Sequence, residues 1–247
     1  MLLPGTASDE VFVRSVFAGP LAAVGVRLHA PRPRPGPRLV DEYFAEFDAA
    51  AIDAPIVAGG ISFGAHLAAE WAARQPARCA GLLLALPGWL GDSNDGDRND
   101  NGGLHDAAVA PAAVAARHSA LRVDQLGVDA ALAEAVDGLP SWLATELSRA
   151  WRGYRDELAT SFRLAADRPA PSATTLRTLR MPAGVAGCTD DAVHPSAVAD
   201  RWAGALPNAA VCHSTLAALG ADRESLGRAT VLAWLRAIAK QTSSTDV

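Results

Sequence analysis

Residues 56–66 read Ile-Val-Ala-Gly-Gly-Ile-Ser-Phe-Gly-Ala-His, and this stretch decides the fold. Its first residues, Ile56 to Ala58, form a short apolar run that predicts a buried strand, and the Ala-rich run from Phe63 to Arg74 predicts a helix. Between them Ser62 has a glycine two residues before it and another two residues after it. Glycines at these places permit a tight strand-to-helix turn that lifts the serine side chain above the sheet, at a helix N-terminus. The context predicts a nucleophile elbow, with a purely structural tight turn as the alternative.

Outward from this stretch, strand-like and helix-like segments alternate along the chain. Strand patterns are predicted for Met1–Leu3, Val24–Leu28, Ile56–Ala58, Gly81–Leu86, Met181–Gly187 and Ala209–Cys212. Helices are predicted between them, as in the runs from Pro195 to Leu206 and from Asp222 to Ala239. This alternation is typical of an α/β fold with a mostly parallel, doubly wound sheet, here of about six strands.

The alternation is interrupted between residues 91 and 169. Residues 91–103 form a loop rich in Gly, Asp and Asn, and helical patterning then runs from Leu104 to Leu164. We therefore predict a core made of residues 1–90 and 170–247, with an acidic loop and a helical cap inserted over one end of the sheet.

Composition excludes several classes of protein. The chain has 247 residues, 50% of them hydrophobic and 20% charged, with a formal net charge of −5, which favours a packed globular core over disorder. No stripe of basic residues is present to neutralise phosphates, so we expect no nucleic-acid partner. No apolar run of about 18 residues and no signal-peptide pattern is present, so we expect no membrane partner. The expected partner is a small-molecule substrate, and the oligomeric state stays open.

The three cysteines, Cys79, Cys188 and Cys212, have no short spacing between them. This pattern fits free thiols in a reducing cytoplasm better than a disulfide framework or a zinc site. Residues 95–106 place acids at a spacing that partly matches a calcium loop, but Asp100 stands where that loop needs glycine. We expect a solvated acidic loop there, and neither a metal nor a cofactor.

With its elbow in this setting, the chain resembles the α/β-hydrolase superfamily over nearly its whole length. The family's opening two strands are absent from the match. The resemblance implies that Leu3-Pro4-Gly5-Thr6 corresponds to the family's oxyanion loop. The N–H groups of Thr6 and Phe63 would then form the oxyanion hole beside the Ser62 nucleophile.

The resemblance also places an acid in the turn after the strand that ends near Gly187. Counting back from Pro195 gives Asp191 as the triad acid, and counting forward from Gly187 gives Asp190 as the alternative. One or both could instead cap the helix that starts near Pro195.

The family's histidine lies in the loop after the last strand, and residues 214–221 of this chain contain none; Leu216 stands near its place. His213, at the end of the preceding strand, is the first substitute, and His194, three residues after Asp191, is the second. His66 is expected to pack beneath the elbow. No motif surrounds His29, His105 or His118.

Two functions follow from this pattern. The first is a serine-dependent hydrolase of an ester, thioester or small amide, with Ser62, Asp191 and His213 as its triad. The tryptophans and leucines of the insertion, Trp142 and Trp151 among them, favour an apolar acyl or ring moiety in the substrate. The second is a non-hydrolytic protein of the same fold with a degenerate triad, which binds a small molecule or carries out lyase or cyclase chemistry.

Overall fold

A parallel sheet lies at the centre of the computed structural model, which describes residues 1–91 and 110–245. Within these ranges the sheet has five strands, and their order in the sheet is their order in the chain. The strands are β1 (Leu2–Leu3), β2 (Ile56–Ile61), β3 (Cys79–Ala85), β4 (Ala183–Cys188) and β5 (Ala209–Ser214). The predicted α/β class with a parallel sheet is confirmed.

Helices cover both faces of the sheet, and this explains why its central strands are apolar throughout. In β3, Leu82 and Leu84 pack into the core on one face, and Leu83 and Ala85 pack into the core on the other. A strand buried on both sides has no polar alternation, so its sequence is a continuous hydrophobic run.

The helices of the core divide between the two faces. Helices α1 and α11 pack together on one face, and α2, α3 and α9 lie on the other. The bounds are α1 (Glu10–Ala22), α2 (Leu39–Ala50), α3 (Phe63–Arg74), α4 (Pro111–Leu126), α5 (Val128–Val136), α6 (Ser141–Tyr154), α7 (Leu158–Asp167), α8 (Ala173–Arg177), α9 (Ser196–Ala205), α10 (Leu216–Ala221) and α11 (Glu224–Thr245).

Helices α4 to α7 lie between β3 and β4 in the chain and share an apolar cluster of their own, which includes Trp151 and Phe162. The predicted helical block is divided into separate helices, first at Gly127, whose φ of 78° suits glycine. The acidic loop with the partial calcium spacing, and His105 with it, falls in residues 92–109, outside the described residues.

The segment Val24–Leu28 is not a strand, contrary to the sequence prediction. Val24 and Val26 both donate their N–H groups to the carbonyl of Leu21, so the segment is folded back on the end of α1. The side chains of Val26 and Leu28 pack, partly buried, against the apolar core on the α1 face of the sheet, whereas Val24 is exposed. The described sheet consequently has five strands rather than about six.

In the described ranges, none of the helices combines the length and hydropathy that a membrane crossing requires. All three cysteines lie in these ranges as free thiols, and Cys79 and Cys188 are buried.

Candidate active site

Ser62 lies at the sharp turn between β2 and α3, in a strained conformation. Its φ of 53° and ψ of −115° are unusual for a residue with a side chain. The Ser62 N–H donates to the carbonyl of Ala85 at 2.8 Å, which fixes the turn to the end of β3.

The two glycines of the motif are required because β1 passes close to this turn. A Cβ atom on Gly64 would lie 2.5 Å from the carbonyl oxygen of Leu3, and one on Gly60 would lie 2.6 Å from the same oxygen. Side chains at these positions would separate the turn from β1. The local sequence thus produces the elbow geometry that the motif predicts.

A histidine lies against the serine, and it is His194. Its Nε2 atom is 2.9 Å from Ser62 Oγ, and its Nδ1 atom is 3.1 Å from Oδ2 of Asp191. With the proton on Nδ1, the ring donates to Asp191 and accepts from the serine hydroxyl. The structure therefore brings serine, histidine and aspartate into one hydrogen-bonded row.

The Asp191 carboxylate is fixed by its own loop. Its Oδ1 atom accepts the backbone N–H groups of Val193 at 2.8 Å and of His194 at 3.0 Å, which leaves Oδ2 for the imidazole. Burial by itself would raise the pKa of Asp191, but the hydrogen bond and charge of His194, together with these two N–H groups, hold that pKa below its ordinary value. The carboxylate is thus ionised at neutral pH and held in one orientation.

The loop after β4 folds back on the sheet, and this places His194 at the sheet edge. Pro195 pairs with Cys188, the last residue of β4, in an isolated bridge. Thr189 donates its N–H to the carbonyl of Ser214 at the end of β5. Because the loop leaves and rejoins the end of β4, a histidine six residues beyond the strand still lies beside it.

Asp190, the alternative acid, is used elsewhere. Its carboxylate accepts the backbone N–H groups of Leu216 and Ala217 at the start of α10. It therefore caps this short helix, at the place where the family resemblance would put a histidine.

The first interpretation of the sequence required His213 to lie beside Ser62. The structure does not place it there. His213 Nε2 lies 2.9 Å from Oδ1 of Asp200 on α9, so this ring has a partner of its own. The residue lies in β5, whose geometry fixes its side-chain direction, whereas His194 lies on a loop that can turn toward the serine. The sequence signal for His194 was its spacing, three residues after an aspartate and directly before a proline.

The predicted oxyanion loop is next to the serine. A Cβ atom on Gly5 would lie 3.4 Å from the Ser62 Cβ atom, and Gly5 and Ser8 close a turn through an N–H to carbonyl bond of 3.2 Å. Within residues 1–91 and 110–245, the N–H groups of Thr6 and Phe63 donate to no protein acceptor. Phe63 is the first residue of α3, where helix N–H groups lack intrahelical partners.

Neither protein-family models nor curated proteins match this sequence. Solved structures do. An esterase from Thermogutta terrifontis aligns with a TM-score of 0.62 at 18% identity, covering 87% of this chain and 79% of that chain. A carboxylesterase from the thaumarchaeon Nitrososphaera gargenis aligns with a TM-score of 0.65 at 12% identity, covering 87% and 80%. The enol-lactonase from Burkholderia xenovorans aligns with a TM-score of 0.59 at 14% identity, covering 99% and 89%.

The chain has the α/β-hydrolase fold. At these identities the likeness establishes the fold alone, and the chemistry of the site is argued from its own residues.

In this hydrolase fold His66 lies beneath the elbow, four residues after Ser62. Its ring packs against Trp89 and Trp202, with centroids 4.6 and 5.3 Å away, and its Nε2 atom accepts the N–H of Gly88 at 3.0 Å. Desolvation, with a smaller contribution from His194, lowers the pKa of His66 from 6.5 to about 3. The ring is therefore neutral and packs as part of the core.

The tryptophans of the insertion are engaged in packing within this hydrolase fold. Trp151 is buried and contacts Phe162 edge-on at 5.2 Å. Trp142 lies under the guanidinium of Arg223, 4.3 Å from the ring centroid. Both rings therefore have protein partners, so neither is by itself a sign of an apolar substrate.

Within residues 1–91 and 110–245, no cluster of three or more His, Cys, Asp or Glu side chains is arranged to hold a metal ion. The chemistry that the site around Ser62 offers from its own residues is that of serine, imidazole and carboxylate.

Proposed function

We propose that the chain is a serine-dependent hydrolase of an ester, thioester or small amide, with Ser62 as nucleophile, His194 as general base and Asp191 as the orienting acid. The observation that carries the proposal is the position of the His194 ring, which lies within hydrogen-bond distance of Ser62 Oγ on one side and of the Asp191 carboxylate on the other. A serine hydroxyl is a weak nucleophile at neutral pH and needs such a base.

In the first half of the reaction, Ser62 Oγ attacks the substrate carbonyl carbon as its proton passes to His194 Nε2. The ionised Asp191 stabilises the imidazolium that forms. The N–H groups of Thr6 and Phe63 donate to the carbonyl oxygen as it becomes negative. The imidazolium then protonates the leaving alcohol, thiol or amine, and an acyl-serine remains.

In the second half, a water molecule gives a proton to His194 and attacks the acyl carbon. The bond to Ser62 Oγ breaks, the serine recovers its proton from the imidazolium, and the carboxylic acid product leaves. The sharp turn at Ser62 places its Oγ within hydrogen-bond distance of the imidazole that serves both halves.

The alternative, a non-hydrolytic protein of this fold, was motivated by the missing histidine in the loop after β5. His194 supplies an imidazole to Ser62 from a different loop. This contact favours the hydrolase over the alternative. An apolar acyl or ring moiety in the substrate stays a prediction from the composition of the insertion.

The test is covalent labelling of the intact protein with a fluorophosphonate probe, followed by mass measurement. We expect one adduct on the wild type and none on Ser62→Ala, because only an activated serine reacts quickly with this electrophile. Hydrolysis of p-nitrophenyl acetate and p-nitrophenyl octanoate should be lost in the same variant. A folded wild type that takes no label would contradict the proposal and favour the non-hydrolytic alternative.

A further inference from the structure

Two side chains of α6, a helix of the insertion, hold the loop that leads from β1 to α1. The hydroxyl of Tyr154 donates to the carbonyl oxygen of Ser8 at 2.9 Å. The guanidinium of Arg149 donates to both carboxylate oxygens of Asp9, from Nε and from Nη2, at 2.7 Å each. Helix α6 is thus hydrogen-bonded to two consecutive residues of this loop, Ser8 and Asp9.

Ser8 ends the turn that lies beside Ser62, and Asp9 directly follows that turn. That turn runs from Gly5 to Ser8, and Ala7 within it has a φ of 52°, a conformation that residues with a side chain rarely adopt. Such a conformation is unfavourable and persists only where the surrounding structure enforces it. Ala7 is buried in the apolar cluster of the insertion, and α6 bonds the two residues that come next in the chain, Ser8 and Asp9.

The Arg149–Asp9 contact fixes the position of the Asp9 carboxylate relative to α6. Asp9 already caps α1 through the N–H groups of Val11 and Phe12, so its carboxylate is fixed before Arg149 binds it. A bidentate guanidinium–carboxylate pair adds a defined direction as well as charge. Arg149 also bonds Glu146 one turn earlier on α6, which restrains the guanidinium in turn.

Helix α6 is anchored at its other end as well. Trp142 packs under Arg223, and a Cβ atom on Gly220 of α10 would lie 2.6 Å from its indole nitrogen. The helix therefore extends from α10, which follows β5, to the loop that follows β1. Anchoring at both ends makes it a rigid support for that loop.

We infer that Arg149 and Tyr154 are positioning residues, which hold the turn from Gly5 to Ser8 so that the Thr6 N–H faces the oxyanion. This inference rests on the proposed hydrolase function and extends it, since it makes the inserted helix part of the apparatus that stabilises the transition state. Neither side chain touches the reacting atoms in this assignment. Their effect on rate comes from where they place the Thr6 amide.

The experiment compares Arg149→Met, Arg149→Lys and Tyr154→Phe with the wild type. The matched control is Arg152→Met, which lies on the same helix but faces Asp129 at 3.6 Å, a pair exposed to solvent within the insertion. The readouts are kcat and KM for p-nitrophenyl acetate, and the affinity for 2,2,2-trifluoroacetophenone, which forms an oxyanion when the serine adds to it. Thermal unfolding of each variant monitors the fold.

We expect kcat to fall roughly 10–100-fold in Arg149→Met and several-fold in Tyr154→Phe, while KM changes less than about threefold, because a displaced oxyanion donor weakens the transition state and not substrate binding. Arg149→Lys should recover part of the loss. The affinity for the trifluoroketone should fall in parallel with kcat. Arg152→Met should match the wild type.

Folded Arg149→Met and Tyr154→Phe proteins with wild-type kcat and trifluoroketone affinity would overturn the inference while the hydrolase proposal stands. Equal losses in Arg152→Met would also overturn it, because they would indicate general loosening of the insertion. If the wild type itself takes no fluorophosphonate label on Ser62, the hydrolase proposal fails and this inference fails with it.

Discussion

Within residues 1–91 and 110–245, two histidine–aspartate pairs follow or end neighbouring strands, and they differ in what surrounds them. In the loop after β4, His194 and Asp191 are mostly buried, with side-chain exposures of 18% and 6%, and the ring also reaches Ser62. At the end of β5, His213 pairs with Asp200, and their side chains are 32% and 52% exposed. The two pairs have similar nitrogen–oxygen distances, 3.1 and 2.9 Å.

The comparison teaches that a histidine beside a carboxylate is not enough to predict a catalytic base. Exposed ion pairs contribute little to the free energy of folding, because water competes for both partners. The pair after β4 differs in having its carboxylate fixed by backbone N–H groups and its imidazole directed at a hydroxyl. This third contact, with Ser62, is the observation on which the proposed catalytic role of the pair rests.

The largest contrast is expected from removing the negative charge of each pair. Asp191→Asn should lower kcat for p-nitrophenyl acetate by about 10³–10⁴-fold, because an amide facing Nδ1 favours the tautomer with the proton on Nε2, which cannot accept the serine proton. Asp200→Asn is the matched control and should retain kcat within about twofold. Steady-state kinetics of the two variants, with thermal unfolding as a check on folding, measure the contrast.

Asp190→Asn sharpens the same comparison. We expect nearly full activity, since its carboxylate caps α10 and does not contact His194. A large loss of kcat in Asp190→Asn, with Asp191→Asn active, would reverse the assignment of the acid.

A smaller effect is expected from His66, the histidine that is bonded to backbone N–H groups instead of a carboxylate. The pKa of His66 is about 3 in the folded protein, below the ordinary 6.5. Between these two pH values the imidazole is protonated in the unfolded chain and neutral in the folded one. Stability should therefore decrease with acidification, by roughly 2 kcal/mol from this residue between pH 7 and pH 5.

Urea unfolding of the wild type and of His66→Gln at both pH values isolates this contribution. The variant should be less stable at pH 7 but should lose less stability on going to pH 5. Equal losses in both proteins would show that His66 is not the group responsible.

The comparison also shows how far the sequence can predict this molecule. The elbow at Ser62 and the strands around it were predictable, because their chemistry is local: glycines where β1 comes close, and continuous apolar runs where a strand is covered on both faces. The run Val24–Leu28 has the same local pattern and is not a strand, because its backbone is bonded to the end of α1 and not to β1 along its length. Hydrophobic pattern reports burial and does not report which backbone partner a segment finds.

The sequence placed His194 only second as the histidine beside Ser62, for a similar reason. His213 is nearer in sequence to the position that the family resemblance suggests, but its place in β5 directs it to Asp200. His194 reaches Ser62 because Pro195 returns the chain to Cys188, a contact between residues that no local pattern connects. The spacing of Asp191 and His194, with a proline next, was the available signal.

The most direct test of the account compares His194→Ala with His213→Ala in fluorophosphonate labelling and p-nitrophenyl acetate hydrolysis. We predict that His194→Ala, folded as judged by thermal unfolding, takes up label very slowly and loses about 10³-fold or more in kcat, and that His213→Ala behaves as the wild type. Full activity in His194→Ala, or loss of labelling in His213→Ala, would contradict the assignment of His194 as the base.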